Sequence, residues 1–166
     1  MTFEEFVAAR GQALLRFAYV LTADAHLAED VVQSALVKAL KHWGRVESSR
    51  APEAYVRRIV VTTLADHWRK SSSSEVAADV PDGRTEPDPA DRIGSADEMW
   101  RALAALAPKQ RAVLVLRYYA DLSDDDIARQ LGISAVTVRT QASRALATLR
   151  SRWTPAAGVA EGGTHE

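Results

Sequence analysis

Arginine sets the chemistry available to this chain. Between Ile127 and Ala160 there are five arginines (129, 139, 144, 150 and 152) and no acidic residue. Arg139 and Arg144 flank Val136, Thr140 and Ser143 at helical spacing. Small side chains between guanidinium groups form a cationic strip of low profile. Such a strip suits close approach to phosphates and to base edges in a DNA major groove. No comparable set supports catalysis. The four histidines (26, 42, 67 and 165) lack metal-ligand spacing, and cysteine is absent. Neither a nucleophile motif nor a phosphate-binding loop is found. Asp124, Asp125 and Asp126 have the composition of a metal cluster, but at a helix start they more simply complement the dipole. The reading is of a protein with no catalytic residue, no metal and no cofactor.

The strip needs a scaffold, and the residues before it supply one. Ser123 and Asp126 form a Ser-x-x-Asp box suited to a helix start. Ile127, Ala128 and Leu131 give one apolar stripe, with Ala128 small enough for a close helix crossing. Gly132 stands where the helix must end with positive φ. Ile133 plugs the angle, and Ser134 can cap a second helix. In that helix Val138, Ala142, Ala145 and Leu149 share the inner face. The pattern is a helix-turn-helix whose second helix presents the cationic strip. An ordinary helical hairpin with a solvated face is the alternative, and the one-sided charge argues against it.

At 166 residues and 47% hydrophobic content, the chain can bury one or two small cores. Its net charge of −1 means that any nucleic-acid binding must come from local basic surfaces. The N-terminus, acidic and amphipathic, is unlike a signal peptide, and no apolar run reaches membrane-span length. These features favour a cytoplasmic protein with no membrane partner.

Apolar periodicity predicts an all-α fold of two small helical domains. The first, residues 1–70, holds helices over about Phe3–Leu21, His26–Trp43 and Pro52–Lys70, with Gly44–Ala51 as a polar loop. The β-prone run from Ile59 to Thr63 has helical flanks. Residues 71–97 carry four leading serines, three prolines and mostly acidic charge, the composition of a flexible linker. Fully extended, they could span about 90 Å. The second domain, residues 98–153, holds four helices ending in the helix-turn-helix. Residues 154–166 read as a disordered tail.

Several stretches now resemble one family. Leu106-Ala-Pro-Lys-Gln-Arg-Ala-Val-Leu-Val-Leu-Arg-Tyr-Tyr119, with Leu131-Gly-Ile-Ser134 and Thr137-Val-Arg139, is similar to the promoter-reading region 4 of bacterial sigma-70 factors. Ala28-Glu-Asp-Val-Val-Gln-Ser-Ala-Leu-Val-Lys-Ala39 resembles their core-polymerase-binding helix. Pro52-Glu-Ala-Tyr-Val-Arg-Arg-Ile59, ending at Asp66-His-Trp-Arg-Lys70, resembles the helix that meets the −10 promoter element. Only the two-domain form is present, as in the extracytoplasmic-function (ECF) group, and the wording is closest to the SigE-like factors of actinobacteria. Two positions depart from the pattern. Thr62 stands where many relatives carry asparagine, and Ser34 replaces the usual acid after Gln33.

The resemblance implies a sigma factor that binds core RNA polymerase and directs it to promoters. Glu29, Asp30, Gln33 and Lys38 would dock on the clamp helices of the largest subunit, and region 4 on the flap of the second. Arg57, Arg58, Arg69 and Lys70 would hold −10 DNA, with the Gly44–Arg50 loop near a flipped base. Tyr55 and Trp68 are stacking candidates, although aromatics at helical spacing are more often core. Val136, Thr137, Arg139, Thr140, Ser143 and Arg144 would read the −35 element. An anti-sigma factor is a further partner that the family admits. The competing function is a stand-alone helix-turn-helix regulator, which would bind a palindrome as a dimer without polymerase.

Overall fold

The computed structural model describes residues 1–73 and 95–152; most of the expected linker and the whole expected tail lie outside them. The helices are α1 (Phe3–Thr22), α2 (Ala25–Lys41), α3 (Trp43–Glu47), α4 (Pro52–Ser73), α5 (Ser95–Ala104), α6 (Pro108–Leu114), α7 (Asp124–Leu131) and α8 (Ala135–Arg152). A π-helical turn, Val115–Tyr119, prolongs α6. Among the described residues there is no strand, and the fold is all-α. Ile59–Thr63 is helical despite its β-branched side chains. Val60, Val61 and Thr63 are buried there, and burial outweighs a propensity deficit of a few tenths of a kcal/mol per residue.

Local signals fix several helix ends. The Thr2 hydroxyl accepts from the Glu5 amide while the Glu5 carboxylate accepts from the Thr2 amide, satisfying two orphan donors at the start of α1. The Asp24 carboxylate caps α2 through the Leu27 amide. Ser123 Oγ accepts from the Asp126 amide, and Ser134 Oγ from the Thr137 amide, at the starts of α7 and α8. Gly132 ends α7 at φ 71°.

The expected loop Gly44–Ala51 is corrected in its first half, where residues to Glu47 belong to α3. Val46 is fully buried and needs a fixed backbone. Trp43 anchors the turn, with its ring against Phe3 and Phe6 at centroid distances of 5.6 and 5.3 Å. Its indole N–H donates to the Met1 carbonyl at 3.2 Å.

α1, α2 and α4 pack around Phe6, Leu14, Phe17, Val31, Val60 and Leu64, whereas α6, α7 and α8 pack around Val113, Leu116, Ile127, Val138 and Ala142. The two sets join in one apolar cluster. α1 packs on α6 and the π turn, and α4 packs on α7. At the junction Phe17 stacks on Tyr119 and Tyr19 on Trp100, with centroids 6.2 and 4.9 Å apart. Arg111, buried although charged, donates to the Thr22 carbonyl at 2.9 Å, 89 residues away in sequence.

Candidate nucleic-acid interface

The helix-turn-helix places its cations as the sequence anticipates. Val138, Ala142 and Ala145 turn inward, so the opposite face of α8 is open. Val136, Arg139, Thr140, Ser143 and Arg144 line one shallow cleft along that face. Val136 is 64% exposed. An apolar side chain held in water at the first turn is suited to contact with a thymine methyl. The Thr140 hydroxyl donates to the Val136 carbonyl at 3.0 Å, leaving its lone pairs outward as acceptors. Thr137 is only partly exposed, and its hydroxyl lies 2.8 Å from that of Ser134 within the cap. It belongs to the helix start more than to the open face.

A second cleft on the same helix was not anticipated as a unit. It is lined by Arg117, Arg139, Ser143, Leu146 and Arg150. Arg139 and Ser143 line both clefts and therefore form the crest of α8. Arg117 is held by Asp124 through short hydrogen bonds of 2.6 and 2.7 Å, and this pairing raises its pKa above the ordinary value. Arg139, Arg144 and Arg150 have no acidic partner among the described residues. Of the acids nearby, Asp124 is engaged by Arg117 and Asp126 by Arg129. Asp126 is held below the usual carboxylate range by Arg129 first and then by Ser123. Two of the three aspartates are thus tied down by arginines, and among the described residues no cluster of His, Cys, Asp or Glu could hold a metal.

α4 divides the four expected −10 residues. Arg58 and Arg69, eleven residues apart, share a stripe with Thr62, and both arginines are exposed. Arg57 points elsewhere. It pairs with Glu53 at 3.2 Å, and its guanidinium lies over the Phe17 ring at 5.2 Å from the centroid. Lys70 is exposed but falls off the stripe. Tyr55 and Trp68 are partly buried and pack against the core, which accounts for both rings without DNA.

α2 also divides its expected set. Glu29, Asp30 and Gln33 are exposed on one face. Val37 and Leu40 lie on that face too, at 53% and 52% exposure, and sequence reasoning missed them. Their spacing from Gln33, four and seven residues, carried the signal. Lys38 lies to the side. Its ammonium donates to Thr63 Oγ1 at 3.0 Å and sits 4.0 Å from Asp66, joining α2 to α4.

Comparison with known proteins gives these surfaces a family. Residues 6–74 match the description "Sigma-70 region 2", and residues 96–149 match "Sigma-70, region 4". The RNA polymerase sigma-E factor of Streptomyces avermitilis is 38% identical over 151 residues, covering 90% of this chain and 84% of that one. The ECF RNA polymerase sigma factor SigL of Mycobacterium tuberculosis is 32% identical over 142 residues, covering 82% and 80%. This chain belongs to the ECF group of sigma-70 factors. The fold agrees with that of the sigma factor RpoE from Bartonella quintana, solved with the anti-sigma factor NepR, at a TM-score of 0.64 and 24% identity. That match covers 92% of this chain and 97% of the other.

As an ECF sigma factor, the chain binds core RNA polymerase and directs promoter-specific initiation through −10 and −35 DNA. Among the described residues, no helix is long and apolar enough to cross a membrane. The second cleft of α8 gives a first prediction. Arg150→Ala is expected to weaken holoenzyme binding uniformly across −35 variants and to reduce the salt slope of log K by about 1, as for loss of one phosphate contact. Filter binding at several salt concentrations measures both, and an unchanged slope removes Arg150 from the interface.

Proposed function

We propose that α8 reads the −35 element through Val136, Arg139, Thr140, Ser143 and Arg144, and that α4 holds −10 DNA through the Arg58–Thr62–Arg69 stripe. α2 docks on the polymerase clamp helices through Glu29, Asp30 and Gln33, with Val37 and Leu40 as the apolar centre of the contact. Lys38 and Arg57 serve the packing of the domain. The chain itself makes and breaks no bond, works in the cytoplasm and uses no cofactor; polymerisation belongs to the core enzyme. An anti-sigma factor is a further proposed partner, and it would act by covering one of these three faces.

The observation that carries the reading is the acid-free, open crest of α8, where unpaired arginines alternate with small polar groups. Its electrostatic attraction to phosphate is independent of sequence, while the small groups supply the selectivity. Run-off transcription on genomic fragments, with core polymerase alone and with this chain added, tests the function directly. Within that assay, Arg139→Ala is expected to cost about 1–3 kcal/mol of −35 affinity and to relax selectivity at one base position. Holoenzyme binding across −35 variants reads out both effects. Retained affinity and preference would remove the base-reading role from Arg139.

A further inference from the structure

None of the residues given to DNA or to polymerase lies on α1, yet α1 holds both ends of the loop that leads into α4. That loop, residues 48–51, joins α3 to α4. Ser48, Arg50 and Ala51 are exposed, while Ser49 Oγ donates to the carbonyl of the buried Val46 at 2.7 Å. The Arg50 side chain has no hydrogen bond or ion pair among the described residues. Arg58, the near end of the −10 stripe, lies six residues beyond Pro52, about 9 Å along the helix axis.

On the upstream side the loop hangs from α3. That helix has five residues, and its N-cap, His42, makes no side-chain cap hydrogen bond. A helix so short does not hold itself, because nucleation costs more than so few hydrogen bonds return. α1 holds it at both ends. Trp43, its first residue, packs on Phe3 and Phe6 and donates to the Met1 carbonyl. Glu47, its last residue, accepts from the Met1 amine at 3.1 Å. On the downstream side Arg10 Nε lies 3.5 Å from Glu53, in the first turn of α4. The same carboxylate accepts from Arg57 at 3.2 Å, and Arg57 in turn lies over Phe17 of α1. Phe3, Phe6 and Arg10 stand at i, i+3 and i+7, on one side of the helix. Two turns of α1, about 10 Å, therefore set the distance between the two fixing points.

We propose that the first half of α1 is a positioning element for −10 recognition, with Phe3 and Arg10 acting through Trp43 and Glu53 to fix the path of the loop beside the α4 stripe. The proposal rests on the assignment of α4, and of the loop that adjoins it, to −10 DNA. Groups that discriminate bases must be held to within about half an ångström by the residues behind them. The exposed loop cannot supply that rigidity, and its frame does. Loosening the frame relaxes base choice at the −10 element and leaves −35 reading and polymerase docking alone.

Holoenzyme rebuilt from core polymerase and variant chains tests this on two promoter sets, one carrying each base at every −10 position and one doing the same at −35. Arg10→Ala removes the downstream tie, and Trp43→Phe keeps a ring but cannot donate to Met1. Both ties are partly exposed, so the fold should survive their loss. The two changes together are expected to lower discrimination among −10 bases about fivefold, the low end of what one mismatched pair costs. Discrimination at −35 and affinity for core polymerase should match the parent, and Arg10→Lys should retain most of the −10 preference. Parental −10 discrimination in the double variant would overturn the proposal. A loss spread equally over both promoter sets, with a lowered melting temperature, would also overturn it, since the clasp would then only stabilise the domain. Arg58→Glu keeps the two levels apart. Should it leave promoter opening intact, the α4 assignment fails and the proposal with it. Should it block opening while the clasp variants keep the parental preference, the positioning role of α1 alone is wrong.

Discussion

Asp30→Arg is expected to abolish association with core polymerase while leaving the fold intact. Asp30 is exposed near the middle of α2 and makes no hydrogen bond or ion pair among the described residues. Reversing its charge therefore breaks nothing internal, and the stability change should stay within about 0.5 kcal/mol. At the interface the effect is larger. Val37 and Leu40, further along the same face, would be desolvated on docking, and a charge facing a partner charge at the edge of such a patch is only partly screened. Disrupting a buried interfacial charge contact costs 2–5 kcal/mol or more, and introducing repulsion adds to it. Each 1.4 kcal/mol is a factor of ten, so the total loss is about two to four orders of magnitude. Pull-down with core enzyme measures the first effect and circular dichroism the second. Normal core binding by a folded variant would refute the docking assignment on α2.

The same helix shows how far the sequence carries a site. The exposure of Glu29, Asp30 and Gln33 was legible because they are polar at helical spacing opposite Val31, Ala35 and Ala39. Val37 and Leu40 were harder to read, since an apolar residue on an amphipathic helix is ordinarily assigned to the core. Lys38 reads in sequence as one more polar residue of that outer face, and the resemblance gives it to polymerase. In the fold its ammonium donates to Thr63, 25 residues away on another helix. Arg57 and Arg58 look equivalent in sequence, yet successive residues lie 100° apart around a helix, and only Arg58 joins the stripe with Arg69.

For the fold, legibility follows the range of the interaction. The helix-turn-helix is written in local chemistry: a serine cap, a glycine at positive φ, and a second serine cap. All three can be read within a dozen residues. The short α3 could not, because Val46 is buried by packing against elements that the local window does not contain. The docking of the two domains is less visible still. A serine- and proline-rich connection reads as independence, and nothing in it shows that Phe17 and Tyr119 will meet. The exposed faces of single helices are therefore easier to read than the way the helices pack together.

Arg111 is the largest case of this kind, and its removal is expected to cost about 3–5 kcal/mol of stability. In sequence it is one cation in Pro-Lys-Gln-Arg, indistinguishable from a solvated helix residue. In the fold its Nε donates to the Leu103 carbonyl at 2.9 Å, Nη2 to Ala104 and Leu106 at 2.9 and 2.7 Å, and Nη1 to Thr22 at 2.9 Å. Helix C-termini leave carbonyls without intrahelical partners and carry partial negative charge. One planar cation thus serves the ends of both α5 and α1. Burial lowers its pKa from the ordinary value, but a guanidinium remains charged throughout the neutral range. The loss should therefore be the same on either side of neutrality. Against a typical domain stability of about 5–15 kcal/mol, it is a large fraction. Arg111→Met separates two contributions, since it keeps an apolar stem but cannot donate. Arg111→Lys keeps the charge but, as a point donor, cannot span four carbonyls, and should recover less than half of the loss. Urea denaturation followed by circular dichroism ranks the three. Were the methionine variant as stable as the parent, the stem rather than the hydrogen bonds would hold this junction, and the carbonyls would have found water.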